Sequence, residues 1–577
     1  FALDIDIIKD MLSAKLLYGV NKENGKRSAY IPKDVYWGLV RKSRGSLGYN
    51  ERQYETMEGT LSFRHKFWNM IDVNAVAGMG RYLDKGTGMT VSYQNANDMI
   101  NDSNLAAADG PFSPTSYKYE NEKRSQFLRA SFDVLDRYVL TGTLRRDGTD
   151  KFFPDKKYSL FPSASVAWKM SNESFMQHLS WLNLLKVRAS YGVTGSDNLG
   201  TSLYGIIGIS REDVKFSNSG VTYVPYALQS ANYSDVTWQK TAMKNIGLDF
   251  SILKDKIWGS LDFFRNDVTN LLGTAPTSLL NMYGYRPING GHYKRTGVEL
   301  SLNTLNIQTP NFKWTSSLAL SHYNAYWIER MPNFDYKKYQ KRENEPMSAY
   351  YYYKTVGVIN EDRSNMPDSQ RSLPREAQLP GYPIIDDRNG DGKIDIDDIY
   401  MDNTLPKVYY GFGNTFTYKN FDLDIYMYGQ LGVKKFNSTH ASNCSAANLA
   451  SGTLASNPTD YAYAIWNSQT NPNGTVPGIA SSKSVALPEN APINTFWEKA
   501  SFLRVRNITL GYNWDTRKLA FLKGNVQTIR LFVDFQNPFT LTKFEGDDPE
   551  ITTAAGNLGH GQYPQLRVYS FGAKISF

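Results

Sequence analysis

Cysteine is almost missing from this sequence: Cys444 is the only one in 577 residues, and there are only six histidines. That excludes a disulfide scaffold and cysteine-based zinc sites, and it leaves little material for a histidine metal cluster. No apolar run approaches the roughly 18 residues that a membrane-spanning helix requires, and the mean hydropathy is −0.47. A helical membrane protein is therefore excluded. A β-barrel is not, because barrel strands place their lipid-facing side chains at alternate positions and can look hydrophilic on average. Catalytic signatures are missing as well. The sequence has no Gly-x-Ser-x-Gly elbow, no Walker A loop and no His-Glu-x-x-His helix, and no acidic pair is singled out by its spacing. We expect no catalytic residues and no enzyme.

Aromatic residues, in contrast, are abundant: 39 Tyr, 29 Phe and 11 Trp make up 14% of the chain. A soluble core has little use for so many, whereas the aromatic girdles of a membrane barrel absorb them. The formal net charge is +8, but the 64 basic residues are interleaved with 56 acidic ones. That dispersal argues against a nucleic-acid partner and suits a surface among anionic lipid head groups. The Asn-x-Ser/Thr sequons are read as chance, since Asn507 sits inside a strand pattern. The chain opens at Phe1 without an initiator Met, a charged n-region or an apolar h-region, so Phe1 is not expected to be the native start.

Alternation with period 2 recurs along the whole chain. Leu128, Ala130, Phe132 and Val134 alternate with Arg129, Ser131 and Asp133, and Leu185, Val187, Ala189 and Tyr191 alternate with Lys186, Arg188 and Ser190. Ile246, Leu248, Phe250 and Ile252 repeat the pattern, as do Phe421, Leu423, Ile425 and Met427. We expect roughly 16 to 18 strands of about 10 residues. Their connections alternate in length. Turns at 135–137, 254–256 and 419–420 are short, while the links at 194–236, 265–290, 327–405, 433–499 and 537–562 are long. Long loops on one rim and short turns on the other characterise an outer-membrane barrel, with the short side periplasmic. The expected fold is an all-β transmembrane antiparallel β-barrel, one domain over residues 1–577. A change of apolar phase between Val505 and Ile508 predicts a β-bulge near Arg506 or Asn507, or the exit of that strand from the membrane. The final segment, Arg567 to Phe577, carries Tyr569, Phe571, Ala573 and Ile575 on one face. In water such a strand would be an aggregation-prone edge, and closure of a barrel removes it.

Several blocks resemble the SusC-like, TonB-dependent outer-membrane transporters of Bacteroidetes. They are Thr143-Leu-Arg-Arg-Asp147-Gly148 with Phe161-Pro162-Ser163, Leu185-Lys-Val-Arg188-Ala-Ser-Tyr191-Gly192-Val-Thr-Gly195, and Trp238-Gln-Lys-Thr with Asn245-Ile-Gly-Leu-Asp-Phe250. Others are Gly297-Val-Glu299, the Asp387 to Asp398 loop, Phe502-Leu-Arg-Val-Arg506-Asn507, Asp548-Pro-Glu550 and the ending from Tyr563-Pro564. The resemblance implies a barrel of roughly 22 strands, the size of plugged outer-membrane transporters, with this chain as its later portion and the plug and first strands not in it. It further implies TonB-driven import of an oligosaccharide, or less readily a peptide, together with a SusD-like surface lipoprotein. A passive porin or adhesin on a similar barrel, or a secreted all-β glycan-binding protein with a calcium loop, are the alternatives.

The acidic loop is the one candidate ion site. Counted from Asp387, Asn389 falls at position 3, Asp391 at 5, Gly392 at 6, Lys393 at 7, Asp395 at 9 and Asp398 at 12. That is the spacing of an EF-hand-like calcium loop, in which position 7 offers its backbone carbonyl. Asp398 replaces the usual bidentate Glu, and the flanks are not a helical pair. We expect a structural Ca2+ held by Asp387, Asn389, Asp391, Lys393, Asp395 and Asp398, or a plain turn braced by side-chain to backbone hydrogen bonds. Either way the loop braces a long extracellular link. Tyr350 to Tyr353 are expected to fill a rim or plug contact rather than stack on sugars, and Trp238, Trp258 and Trp314 to be girdle or wall residues. Arg129, Asp133, Lys186 and Arg188 should face the lumen, lining a solute path or pairing with one another or with a plug.

Overall fold

A computed structural model describes the chain apart from residues 36–41, 96–104, 106–107, 109, 200–202, 204–205, 210–215, 219–220, 224–225, 231, 279–283, 341–343, 444–462, 479–486, 515, 517–525, 527, 547, 551–564 and 577. Cys444, Tyr563, Pro564 and Phe577 lie outside the described residues. One antiparallel sheet of 18 members dominates the fold. Thr540–Thr542 only extends the pairing at one end of the Phe502–Trp514 strand, and the other seventeen are consecutive wall strands. The first eight are β1 (Ala2–Ile8), β2 (Leu12–Ile31), β3 (Arg44–Phe67), β4 (Ile71–Gln94), β5 (Ser113–Val134), β6 (Tyr138–Thr149), β7 (Tyr158–Lys169) and β8 (Leu182–Ser196). Then come β9 (Gln239–Ile252), β10 (Ile257–Pro276), β11 (Tyr285–Gln308), β12 (Phe312–Glu329), β13 (Val408–Tyr418), β14 (Phe421–Leu431), β15 (Phe502–Trp514), β16 (Thr528–Gln536) and β17 (Val568–Ser576). Each pairs with the next in a continuous meander. Among the described residues the outer edges of β1 and β17 pair with nothing.

The links alternate as the sequence predicts. On one rim lie 9–11, 68–70, 135–137, 253–256, 309–311 and 419–420, with longer links at 170–181 and 515–527. On the other lie 32–43, 95–112, 150–157, 197–238, 277–284, 330–407, 432–501 and 537–567. The tight turns need positive φ to match strand twist, which Leu135 (φ 57°) and Asp136 (φ 53°) supply. One expected long link is corrected. Residues 265–290 are mostly strand, since β10 and β11 stay paired up to Pro276↔Tyr285 and only 277–284 connects them. Pro276 closes its strand, and Pro287 is the third residue of β11 and pairs with Thr274.

From β5 to β9, register lines polar residues of successive strands along one face. Arg129 pairs with Thr143, Thr143 with Ser163, Ser163 with Gly192, and Ser190 with Asn245. The opposite face is apolar and open: Leu61, Met79, Leu128, Leu144, Leu160, Val166, Ile246 and Phe263 are all exposed. In water such a belt would forfeit about 25 cal/mol per Å2 of apolar surface, whereas lipid accepts it. The wall thus wears its apolar side outward around a polar lumen. The phase change in β15 is a bulge, since Tyr426 pairs with Asn507 but Met427 with Val505, leaving Arg506 as the extra residue.

β3 and β4 are 24 residues long. A membrane strand needs only about 9–11, so this part of the wall rises well above the bilayer on the long-link side. The buried apolar clusters sit in and beside the long links of that rim, and the largest combines residues from 330–407 and 432–501.

Candidate functional site

The lumen wall offers hydrogen-bonding groups rather than reactive ones. A cavity of about 640 Å3 is lined by Arg129, Thr143, Ser163, Ser190, Asn245 and Glu299 among others. Of the four charges expected there, three are in ion pairs. Arg188 donates to Asp249 Oδ1 at 3.1 Å and Asp262 Oδ2 at 2.6 Å, Lys186 to Asp249 Oδ2 at 3.2 Å, and Lys169 to Asp133 Oδ2 at 3.0 Å. The guanidinium of Arg188 lies flat on Gly247, where a Cβ would come within 2.4 Å of its Cζ. Further round the wall Arg530 pairs with Asp422 at 2.5 Å. The result is a wetted, charge-balanced surface over which a polar solute can exchange hydrogen bonds.

The acidic loop folds as a chain of Asx turns. Asp387 Oδ1 accepts from Gly390 N at 2.8 Å and its Oδ2 from Gly392 N at 2.9 Å, while Asn389 Oδ1 accepts from Asp391 N and Asp391 Oδ1 from Lys393 N. Gly390 (φ 73°) and Gly392 (φ 82°) take the left-handed conformation that lets the chain double back. Asp398 is fully buried and closes the loop, accepting from Arg388 N and Asp395 N at 2.8 Å each. Burial raises the Asp398 carboxyl above its ordinary value, against those N–H donors. Asp395 caps the short 3-10 turn Ile396–Asp398. Asn389, Asp391 and Lys393 are exposed. The hydrogen-bonded brace is thus in place, and each carboxylate oxygen so used keeps a second lone pair for a cation.

The loop stands on a core of its own. Ile394 and Ile399 pack with Tyr351, Tyr353, Ile359, Leu373, Tyr382 and Leu487, and the Tyr353 hydroxyl donates to Asp395 O at 2.9 Å. Tyr351 to Tyr353 are buried, and Tyr350 stacks on Trp497 at 3.9 Å between centroids. The four tyrosines fill space as expected, where the 330–407 and 432–501 links of the long-link rim pack together. Trp238 departs from expectation. It is buried edge-on between Phe152 and Phe161, each 5.5 Å away, and donates to Lys157 O at 3.1 Å, so it does not face lipid. Trp258 and Trp314 are wall residues, the latter stacked on Phe416.

Two arrangements escaped the sequence reading. Arg504, on β15, is 2% exposed and fans out to Asp548 Oδ1 and Oδ2 at 2.8 Å, Glu550 Oε2 at 2.7 Å and the Thr540 hydroxyl. Tyr428 donates to Glu550 Oε2 at 2.6 Å, and Lys435 donates to Pro549 O. Two blocks that the sequence presents 44 residues apart, Phe502 to Asn507 and Asp548 to Glu550, are one buried joint pinning the 537–567 link to the wall. The second is His440 with Glu498 and Glu545, whose ligand-type atoms lie within 4.8 Å of one another. His440 Nδ1 meets Glu498 Oε1 at 3.0 Å, an acceptor it shares with Asn437. Among the described residues this trio, not the Asp387 loop, is where three His, Asp or Glu ligand atoms converge.

The chain is similar to TonB-dependent receptor P3 of Formosa agariphila, 26% identical across 98% of this chain and 57% of that protein. It is also similar to TonB-dependent receptor SusC of Bacteroides thetaiotaomicron, 27% identical across 80% of this chain and 44% of that one. The chain thus spans about half the length of the curated relatives it matches. A solved structure titled the RagAB peptide transporter shares the fold, with a TM-score of 0.79 over all of this chain and 61% of that one at 18% identity. The model of the TonB dependent receptor-like β-barrel matches residues 13–537, and this chain belongs to that family of outer-membrane barrels.

Proposed function

We propose that this chain is the wall and outer-rim portion of an active importer that takes a bulky polar nutrient, an oligosaccharide in preference to a peptide, across the outer membrane. The observation that carries the reading is the pairing of a polar, charge-balanced lumen with an outward apolar belt and long links gathered on a single rim. In this reading the links capture solute under a SusD-like lipoprotein, and the TonB complex drives passage by acting on the plug region of the whole protein. The test is uptake of a labelled nutrient by cells carrying or lacking the full-length protein, with and without a protonophore. Uptake should need the protein and collapse with the proton gradient. Protonophore-insensitive flux would make the barrel a passive porin, and loss of surface attachment without loss of uptake an adhesin. Co-purification from the native outer membrane should bring a surface lipoprotein with it.

Ca2+ in the Asp387 loop, ligated by Asp387, Asn389, Asp391, Asp395, Asp398 and the Lys393 carbonyl, is a second part of this reading. What supports it is the spacing together with the lone pairs left on the turn-forming carboxylates. Calorimetry on the full-length protein should show calcium binding that Asp391→Ala abolishes. Absence of binding would leave the Asx turns as the whole brace.

A further inference from the structure

The rising part of the wall carries a feature that neither the lumen nor the long links account for. Tyr117 and Tyr119 belong to β5 near the long-link rim. Register places both on the inner face, where Tyr119 pairs with Gly86 and Tyr117 with Gly88. The two rings are nearly parallel, 15° apart, with centroids 6.3 Å from each other. Each lies over the glycine beside it. A Cβ on Gly86 would come within 2.3 Å of Tyr119 Cε1, and one on Gly88 within 2.5 Å of Tyr117 Cε1. Any larger residue at 86 or 88 would tip these rings away from the sheet. With glycine there they form a flat shelf, with Tyr117 53% exposed.

Polar groups frame the shelf. Arg52, the partner of Gly86 on the other side, donates to Asp84 Oδ1 at 2.9 Å and Oδ2 at 2.7 Å, and the Tyr119 hydroxyl adds a 3.3 Å bond to Asp84 Oδ1. Those bonds fix the guanidinium beside the rings while leaving further N–H donors on it. Asn50, opposite Gly88, and Asn121, opposite Asp84, share the same face and offer amides. A flat aromatic face bordered by planar donors and acceptors suits a ligand with an apolar, weakly positive C–H face and an equatorial rim of hydroxyls. A pyranose ring has that shape. An extended peptide does not, since its backbone needs a strand edge and its side chains need pockets.

We propose that Tyr117 and Tyr119, laid on Gly88 and Gly86 and flanked by Arg52, Asp84 and Asn50, form a stacking subsite for consecutive sugar rings of an oligosaccharide at the outer mouth of the barrel. The inference rests on the import reading and narrows it to glycans. The test uses the purified full-length protein in detergent and isothermal titration with maltohexaose, cellohexaose, xylohexaose, mannohexaose and laminarihexaose, with a mixed nonapeptide pool as the competing class. Wild type should bind at least one hexasaccharide. Tyr117→Ala and Tyr119→Ala should each weaken it about tenfold, while the Phe variants keep most of the affinity. Gly86→Val, which leaves both tyrosines in place but lifts the Tyr119 ring, should weaken it as well. Resistance to SDS before boiling checks that each variant still forms its barrel. Binding of no hexasaccharide, equal affinity in the Ala variants, or a loss confined to the peptide pool would overturn the subsite. Protonophore-insensitive uptake would instead sink the import reading and leave the binding difference standing.

Discussion

The wall and the link between β12 and β13 hold their shape by opposite means. The wall has almost no buried core: its lipid-facing side chains are exposed, its lumen-facing ones are wetted, and order comes from an unbroken ladder of backbone hydrogen bonds. Among its described residues the link has little ladder, short pairings such as Ala349–Tyr352 with Tyr400–Asn403, and it is held by fully buried side chains, Tyr353, Ile359 and Ile399 among them. A bilayer supplies the wall's apolar surroundings, so the wall needs every backbone group paired. The link stands in water and must build its own interior. One chain therefore carries two folding regimes, and a substitution should act in one and leave the other intact.

The largest effect is expected where the regimes meet. Arg504→Ala leaves Asp548 and Glu550 without their shared cation in a buried site, a change that costs about 3–5 kcal/mol when one partner of a buried pair is removed. The 537–567 link should detach and become sensitive to protease, while the wall keeps its resistance to SDS before boiling. If the wall melts with the link, the two are not separate. Next comes Tyr353→Ala, which removes a fully buried ring and its bond to Asp395 O. A cavity of that kind costs about 3–5 kcal/mol, and hydrogen exchange at 386–399 should rise sharply. Tyr353→Phe should cost only about 1 kcal/mol, the net value of one hydrogen bond.

The wall breaks differently. Leu128→Arg places a charge on the lipid face, six residues from the short-turn rim, for about 2–4 kcal/mol near the bilayer midplane. Ser131→Ala, on the lumen face three residues away, should be close to neutral. Chemical unfolding of the barrel in liposomes measures both, and equal effects would contradict the assignment of faces.

How far each region could be read from sequence follows from the same contrast. Period-2 alternation is a direct imprint of two environments, so the strands, the short-turn rim and even the Arg506 bulge are legible in the residues themselves. The link core leaves no such imprint. Tyr353, Ile359, Leu373 and Ile399 come together from scattered positions with no period, so four adjacent tyrosines announced space-filling without showing what they pack against. Trp238 misled for a related reason, since a tryptophan at a strand start looks the same whether Phe152 and Phe161 or lipid surrounds it. The Arg504 joint was visible only as two separate blocks, because nothing local says that an Asp-Pro-Glu segment will return to a strand 44 residues earlier. The Asp387 loop lies between these cases. Its spacing and glycines announced the turns, while the core beneath it, which decides where it stands, did not show.

The smallest effect tests the joint from its other side. Lys435 is buried against Pro549 and Glu550, and burial pushes its ammonium down to about 8, against the opposing pull of Asp548 and Glu550. A lysine whose folded pKa lies below its unfolded value near 10.4 binds fewer protons when folded than when unfolded between those two values. The anchor should therefore tighten as pH rises from about 8 toward 10.4, and carry a constant penalty below that window. Protection of residues 544–550 from hydrogen exchange, corrected for the intrinsic rate, should climb across the window in the native protein. In Lys435→Met, which has no group to titrate there, it should stay flat across the window. Link core residues such as Ile399, packed in a buried cluster that includes nothing from 433–436, should show no matching change. A pH response spread evenly over wall, joint and link core would mean that the chain behaves as one cooperative unit instead of a lipid-held wall with a water-built link fastened to it.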